Sequence, residues 1–232
     1  MGWRLRLGVL QPSINVVAEP QLEAMAPQGV SIHTTRLKLA SVEDLAHMAD
    51  NVEEAATLLA DAGVHRILFN CTAVTVHDAD VGDRIRRRIG SATGIPATIT
   101  ADALVAAFQA LEARRIVMVT PYERDINERE TAFLNHHGIE VLREHGLNLK
   151  TAWDYLKVEP AEWYDLVSRH RDDRADAYFI SCAQARAVEV IEAIEFDFGR
   201  PVVTSNQAAM WRCLRESGVK DRVSGFGTLF DR

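Results

Sequence analysis

The stretches RILFNCTAVT, residues 66–75, and AYFISCAQAR, residues 177–186, each lead from an apolar run of strand type into a cysteine, Cys71 or Cys182. In both stretches a small residue follows the thiol, and a helical pattern begins there. Apolar runs of four to eight residues bounded by such breaks are typical of buried strands. The two cysteines are therefore predicted to stand at equivalent strand ends in two similar halves of the chain.

Two further pairs of segments occur in the same order. LGVLQPSIN, residues 7–15, matches IVMVTPYERDIN, residues 116–127, because each reads as a strand, a proline and a polar turn that ends in asparagine. The second pair shares a proline, a short strand, a capping residue and a helix. Its members are GIPATITADALVAAFQAL, which begins at Gly94, and GRPVVTSNQAAMWRCLRESG, which begins at Gly199. The sequence therefore predicts an internal repeat.

Short apolar runs alternate with amphipathic stretches of about 15 residues, which is the pattern of a parallel α/β sheet. One helix is predicted from Val42 to Ala62, after Ser41 as N-cap and before Gly63, and another over 125–137. Strands are predicted at residues 4–10, 29–37, 65–70, 95–99, 115–119, 138–142, 176–181, 201–204 and 223–226.

The repeat also predicts the domain organisation. We expect an α/β fold of two pseudo-symmetric Rossmann-like lobes with parallel sheets and an active site between them. Near residues 98–104 and 203–208 the last strand of each half is expected to pass its helix to the other lobe. The N-terminal lobe would then contain residues 1–100 and 205–232, and the C-terminal lobe residues 101–204.

Composition narrows the class of protein. The chain has 232 residues, 47% of them hydrophobic, and a formal net charge of −7, which disfavours nucleic acid as a partner. The basic run Arg84 to Arg88 has helical spacing and acidic neighbours, so we interpret it as a solvated helix face. Three unpaired cysteines and the lack of a long apolar segment predict a cytoplasmic protein that does not enter a membrane.

The candidate functional residues all follow predicted strands. Asn15, Cys71, Tyr122 and Cys182 each stand where a parallel strand ends, and ligands of open α/β sheets bind at those ends. Helix N–H groups that point at a sulfur favour the thiolate, so lowered thiol pKa values are expected. The same donors bind anions, and they predict a small carboxylic acid as ligand.

Other kinds of site are disfavoured. The histidines lack metal spacing such as H-E-x-x-H, and the chain has neither G-x-G-x-x-G after its first strand nor a P-loop, so no metal or cofactor is predicted. A Cys-His-Asp hydrolase would need His77, which the expected helix turns away from Cys71. Cys213 is interpreted as a buried apolar residue. For three residues a purely structural role remains an alternative to a role in the site. Tyr122 would then be a packing residue, and Asn15 and Asn206 would be turn or capping residues.

The chain resembles the aspartate/glutamate racemase superfamily, and within it the branch of maleate cis-trans isomerases and arylmalonate decarboxylases. GVLQPSINVVAEP, NCTAVT, TPYERDINERETAFLNHHGIEV, SCAQA and TSNQAAMW carry the resemblance over nearly the whole chain. It implies a homodimeric enzyme without a cofactor, with Cys71 and Cys182 as catalytic residues. It also implies that the substrate is bound by or beside Asn15, Asn70, Thr72, Ala73, Tyr122, Ala183 and Asn206.

Within this branch, decarboxylases look like enzymes with a single catalytic cysteine. The two cysteines of this chain therefore argue against a decarboxylase. The PSIN and TPY motifs favour maleate isomerisation, in which Cys71 adds to the double bond of the diacid, the adduct rotates about C2–C3, and Cys182 acts as acid or base. A racemase that uses both thiols, an arylmalonate-type decarboxylase and a small-acid binding protein without catalysis remain alternatives.

One departure concerns the carboxylate pocket. The resemblance to maleate isomerases implies a side-chain amide between the phenol and the second cysteine, shortly before an acidic residue that is followed by proline. In this chain that pair is Glu159-Pro160. In this chain the nearest preceding amide is Asn148, and the intervening stretch contains Trp153 and Tyr155. The sequence therefore predicts that the pocket differs on this side.

Overall fold

A computed structural model describes residues 2–39, 47–76 and 80–232 of the chain. It contains two four-stranded sheets, and every strand pairing in them is parallel. The strands are β1 Leu5–Pro12, β2 Val30–Leu37, β3 Arg66–Phe69, β4 Ala97–Ile99, β5 Arg115–Thr120, β6 Glu140–Gly146, β7 Ala177–Ile180 and β8 Val202–Thr204.

Helices connect these strands on both faces of the sheets. They are α1 Ala18–Ala24, α2 Val52–Asp61, α3 Thr72–Thr75, α4 Val81–Thr93, α5 Thr100–Ala110, α6 Arg124–His136, α7 Ala152–Lys157, α8 Pro160–His170, α9 Ile191–Phe198 and α10 Ser205–Glu216. Short 3₁₀ helices at Val188–Val190 and Thr228–Asp231 complete the described elements.

The two sheets have the same topology. Their strand orders are β2-β1-β3-β4 and β6-β5-β7-β8, so each strand of the first sheet has a counterpart four strands later. β3 and β7, which lead to the two cysteines, occupy equivalent interior positions. The predicted α/β class with two similar parallel sheets is confirmed.

The last helix of each half lies against the other half. α5 and α10 pack together, α10 contacts β3 and β4, and α5 contacts β8. Each of the two helices also contacts the strand that it follows, α5 with β4 and α10 with β8, so the crossovers expected from the repeat stay a prediction. The lobe boundaries of 1–100 with 205–232 and of 101–204 stay a prediction.

The main hydrophobic core joins the two halves. It includes Leu7 and Leu68 of the first sheet, Phe108 of α5 and Phe179 of the second sheet, all of them fully buried. The rings of Phe108 and Phe179 meet edge to face at 5.6 Å between centroids. Hydrogen bonds also join the two halves at their strand ends, where Asn15 Nδ2 donates to the Ala183 carbonyl oxygen and the Thr72 hydroxyl donates to Ser205 Oγ.

Four predicted elements differ from the structure. No helix begins directly after Cys182, because residues 183–187 form a turn and a loop before the 3₁₀ helix Val188–Val190. Residues 223–226 do not form a strand, because Gly225 adopts a φ of +93° and its N–H binds the Glu192 carboxylate instead of a neighbouring strand. The helix predicted over 42–62 is observed as α2, after turns at residues 47–51, and its predicted beginning lies outside the described residues. β6 begins and ends later than predicted, because Gly138 turns the chain after α6 and an edge strand tolerates exposed charges.

The basic run lies on α4, as expected. Arg86 pairs with Asp83 and Asp102, and Arg88 pairs with Glu53 on α2. These partly exposed ion pairs join α4 to neighbouring helices and neutralise part of the run.

Candidate active site

Cys71 lies between β3 and α3, at the N-cap position of that short helix. The backbone N–H groups of Ala73 and Val74 donate to its sulfur and favour the thiolate, as the sequence predicted. The thiol is only 7% exposed, however, and burial raises its pKa to about 11. The expected net lowering of the pKa of Cys71 is therefore wrong, because the cost of desolvating a thiolate exceeds the effect of two amides.

Cys182 follows β7 and has a left-handed backbone, with a φ of +111°. This conformation is strained for a residue with a side chain and is often associated with function. Burial raises its pKa to about 12, although the Tyr122 phenol and the Gln184 N–H, at 3.3 Å, both donate to the sulfur. The negative charge that Cys71 would carry raises this pKa further, so the two sulfurs belong to one site.

Tyr122 connects the two thiols electrostatically. The residue is 3% exposed, and its backbone N–H donates to Thr120 Oγ1 at 3.0 Å. Burial raises the phenol pKa well above its ordinary value, and the charges of Cys182, Glu130 and Cys71 add to this effect. The neutral phenol is therefore a hydrogen-bond donor at the centre of the site.

Asn15 joins the loop after β1 to the loop after β7. Its Oδ1 accepts hydrogen bonds from the N–H groups of Val17 and Ala18, both at 2.9 Å, at the start of α1. Its Nδ2 donates to the carbonyl oxygen of Ala183 at 3.1 Å. The side chain is thus fixed beside the second cysteine, with one amide hydrogen left over.

Asn70 and Asn206 form the centre of a buried polar network. Asn70 Nδ2 donates to Asn206 Oδ1 at 3.0 Å, and Asn70 Oδ1 accepts from Thr100. Asn206 Nδ2 donates to Gln21 Oε1 at 2.7 Å and to the carbonyl of Ala183 at 3.0 Å. Because both amide hydrogens of Asn206 have protein partners, its side chain ties the loops together, and its predicted contact with substrate stays a prediction.

Thr72 takes part in the same connection between the halves. Its hydroxyl donates to Ser205 Oγ at 2.9 Å, and Ser205 Oγ also accepts from the Cys182 N–H at 3.0 Å. The structure thus brings all the predicted site residues into the loops after β1, β3, β5 and β7 and the start of α10.

Several residues of the site were missed in the sequence. Gln184 holds three segments together, because its Oε1 accepts from the Val16 N–H and its Nε2 donates to the carbonyl oxygens of Ile14 and Ala152. Ser205 and Thr100 stand at equivalent positions of the repeat, and this equivalence could have identified both. Glu130 and Ser181 carry no comparable sequence signal.

The stretch before Pro160 contains Asn148, Trp153 and Tyr155, and its departure from the family pattern stays a prediction. Asn148 is exposed, and its amide donates to the Gly146 carbonyl at 3.2 Å. Trp153 is 56% exposed, whereas Tyr155 is buried and meets the ring of Tyr122 edge to face at 5.8 Å. On this side the aromatic ring of Tyr155, and not an amide, contacts the site.

A surface cleft of about 940 Å³ lies elsewhere, between α9 and residues 222–231. It contains neither Cys71 nor Cys182, so the reactive groups point to the strand ends as the functional site. In the described ranges 2–39, 47–76 and 80–232, no cluster of His, Cys, Asp and Glu is arranged to hold a metal ion. No helix in those ranges has the length and hydropathy to cross a membrane. His77 lies outside them.

Comparison with known proteins finds relatives that are maleate isomerases. The chain is 31% identical to the maleate isomerase of Nocardia farcinica, over 99% of this chain and 96% of that protein. It superposes on the Pseudomonas putida S16 maleate isomerase, in a cysteine-to-alanine variant with maleate, with a TM-score of 0.91, 26% identity and coverage of 97% of both chains.

A second solved structure is that of a Nocardia farcinica maleate cis-trans isomerase, in which a cysteine-to-serine variant carries a covalently bound succinylcysteine intermediate. Its TM-score is 0.90, at 28% identity over 97% of this chain and 98% of that one. The family model for arylmalonate decarboxylase matches residues 7–230. The resemblance inferred from the motifs is thus confirmed, and the chain belongs to the arylmalonate decarboxylase family and is similar to these maleate isomerases.

Proposed function

We propose that the protein is an isomerase that converts maleate to fumarate through a covalent adduct on Cys71. The observation that carries the proposal is the presence of two buried thiols at equivalent strand ends, where the charge of Cys71 raises the pKa of Cys182. The relatives named as maleate isomerases support it, and so does the succinylcysteine intermediate in one of them.

The first step forms a bond between Cys71 Sγ and C2 of maleate. The π electrons of the C2=C3 bond move to C3, which takes up a proton and gives a succinyl thioether. Because the double bond has become a single bond, C2–C3 can rotate. Elimination then removes a proton from C3, restores the double bond in the trans geometry and releases the Cys71 sulfur.

Proton balance assigns a role to Cys182. Both thiols are protonated near neutral pH, so addition must move one proton from Cys71 to C3. Cys182 is suited to relay this proton because it couples to Cys71 and accepts a hydrogen bond from the Tyr122 phenol. The same group returns the proton during elimination.

The two carboxylates need hydrogen-bond donors in a site with little water. The second amide hydrogen of Asn15 and backbone N–H groups around Thr72, Ala73 and Ala183 are the proposed donors. The Tyr122 O–H, which donates to Cys182 Sγ in the free protein, and the Ala73 N–H, which donates to Cys71 Sγ, would turn to a carboxylate when substrate binds. Preorganised donors of this kind stabilise negative charge that develops on the diacid during addition. Asn70 and Asn206 would support these donors through their network.

The test uses single cysteine variants and maleate. Cys71→Ser should abolish fumarate formation, followed by absorbance or NMR, and Cys182→Ser should slow it by at least about a hundredfold. Intact mass spectrometry of Cys182→Ser with maleate should show a succinyl adduct on Cys71. Cys213→Ser is the matched control, because Cys213 is equally buried but lies on α10 among core residues.

Full turnover by Cys71→Ser would contradict the covalent mechanism. A wild-type protein that binds maleate but never forms fumarate would instead favour a binding protein.

A second candidate is chemistry at another carbon acid, either racemisation or decarboxylation. The match to the arylmalonate decarboxylase family model favours this candidate. So does the stretch around Asn148 and Tyr155, where the Asn148 amide binds the Gly146 carbonyl and the ring of Tyr155 contacts Tyr122. A screen of small dicarboxylates, arylmalonates and amino acids in D₂O distinguishes these reactions. Deuterium at an α-carbon indicates racemisation, release of CO₂ indicates decarboxylation, and fumarate indicates isomerisation.

A homodimeric state and a cytoplasmic location remain predictions. Light scattering coupled to size exclusion measures the first, and fractionation of cells that express the chain measures the second.

A further inference from the structure

Glu130 is a fully buried carboxyl group on the inner face of α6. Its Oε1 accepts a hydrogen bond from Ser181 Oγ at 2.7 Å. Its Oε2 is buried and has no hydrogen-bond partner among the described residues. A carboxylate in this position would be costly, because one oxygen would carry charge without compensation.

The charged and titratable groups that act on Glu130 favour its neutral form. Burial raises its pKa to about 8, the charge of Glu144 on β6 raises it further, and the Ser181 hydroxyl opposes the rise. Ionised Glu130 would in turn raise the pKa values of Tyr122 and Cys182. At neutral pH Glu130 is therefore mostly a carboxylic acid.

Ser181 connects this acid to the second cysteine. It directly precedes Cys182, whose φ is +111°, and its own N–H donates to the Val119 carbonyl at 3.0 Å. The N–H of Cys182 is held by Ser205 Oγ. The strained turn is thus fixed from two sides, by Glu130 through the Ser181 side chain and by Ser205 at the backbone.

We propose that Glu130 is a positioning residue for Cys182, which holds the left-handed turn through Ser181 and, as a neutral acid, leaves the adjacent thiol able to ionise. The inference deepens the proposed function and rests on it for its catalytic meaning. When Glu130 loses its proton to solvent at high pH, the new charge opposes formation of the Cys182 thiolate.

The test measures the rate of Cys182 labelling by iodoacetamide, with the labelled peptide quantified by mass spectrometry from about pH 6 to about pH 10. Glu130→Gln keeps an acceptor for Ser181 and stays neutral. Glu128→Gln is the control, since Glu128 lies on the same helix but is exposed and paired with Arg124. This readout needs no turnover of maleate.

Below about pH 7.5, Glu130→Gln should label Cys182 at the wild-type rate. At about pH 9.5 it should label roughly three- to tenfold faster, because a loss of like charge lowers the thiol pKa by up to about one unit. Glu128→Gln should follow the wild type throughout. Equal rates for Glu130→Gln and wild type at every pH would overturn the proposal, and would leave Glu130 a packing residue.

If Glu130→Gln does not fold, the wild-type protein still tests the idea by infrared titration. The carbonyl band of a buried carboxylic acid should be present at pH 7 and disappear with a midpoint near pH 8. Absence of that band at pH 7 would overturn the proposal. A failure of maleate isomerisation alone would not overturn this proposal, because it concerns the reaction and not the coupling of Glu130 to Cys182.

Discussion

The hydroxyl of Thr72 donates to Ser205 Oγ at 2.9 Å, and Ser205 Oγ accepts the N–H of Cys182 at 3.0 Å. Two hydrogen bonds therefore connect the residue after the first cysteine to the backbone of the second. Because all the participating groups are buried, their positions depend on one another.

We expect Thr72→Val to lower stability by about 1 kcal/mol, since it removes one buried hydrogen bond and takes one donor away from Ser205 Oγ. The value of kcat should fall by about tenfold, because Cys182 loses part of its support. Chemical denaturation and maleate kinetics measure the two effects.

Thr93→Val is the control for this prediction. Thr93 Oγ1 donates to the Ile89 carbonyl and accepts from the Ile95 N–H, so both of these partners belong to the C-terminal end of α4 and the turn after it. It should lose comparable stability without a change in kcat. An equal loss of kcat in the two variants would argue against the connection.

The thiol pKa values predict slow reaction of the resting enzyme. With a pKa of about 11, Cys71 at pH 7 should react with iodoacetamide at least about tenfold more slowly than N-acetylcysteine, even after allowing for the higher intrinsic nucleophilicity of a basic thiolate. Labelling should rise with pH up to the pKa. Labelling at pH 7 as fast as that of N-acetylcysteine would instead indicate a resting thiolate.

Stability should depend on pH through Glu130. Its folded-state pKa of about 8 lies above the unfolded value of 4.5, so the folded state binds more protons between these values. The contribution to stability is full below about pH 4.5 and is lost as pH rises through about 8. Glu130→Gln lacks this loss.

The unfolding free energy of Glu130→Gln, minus that of wild type, should therefore increase by about 4 kcal/mol from pH 4.5 to pH 8 and become level above about pH 9. Urea denaturation at several pH values measures it. A constant difference would mean that Glu130 is not protonated in the folded protein at neutral pH.

Gly146 is required by close packing behind Tyr122. A Cβ at this position would meet the Asn127 side-chain amide and would lie 2.6 Å from the Tyr122 carbonyl oxygen. Gly146→Ala should cost about 1–3 kcal/mol and reduce activity, because the backbone that carries the phenol must move. Thermal unfolding and maleate turnover measure both.

Gly90 provides the opposite control. It lies within α4, and an added Cβ would meet nothing within 4 Å. Gly90→Ala should stabilise the protein by about 0.5–1 kcal/mol without a change in activity. Similar effects of the two substitutions would contradict the packing argument.

Much of the fold follows from local patterns. The apolar runs that end at Cys71 and Cys182, and the prolines before β4 and β8, predict strands that are present. The strand predicted at 223–226 was wrong because its apolar residues suggest a strand, whereas Gly225 and Gly227 turn the chain. Carboxylates of α9 accept hydrogen bonds from the N–H groups of Gly225 and Thr228. Those partners are distant in sequence, so a local pattern could not reveal them.

The site divides in the same way. The sequence by itself determined which residues stand at the strand ends, namely Asn15, Cys71, Tyr122 and Cys182. It could do so because apolar runs and turn residues act over a few neighbouring positions. Only the tertiary structure decided that Ser205 and Gln184 bind the backbone N–H and the sulfur of Cys182, that Glu130 accepts from Ser181, and that burial raises the pKa of both thiols. The physical reason is that desolvation and long-range hydrogen bonds depend on every segment packed around a group, whereas strand and helix patterns depend mainly on its neighbours in sequence.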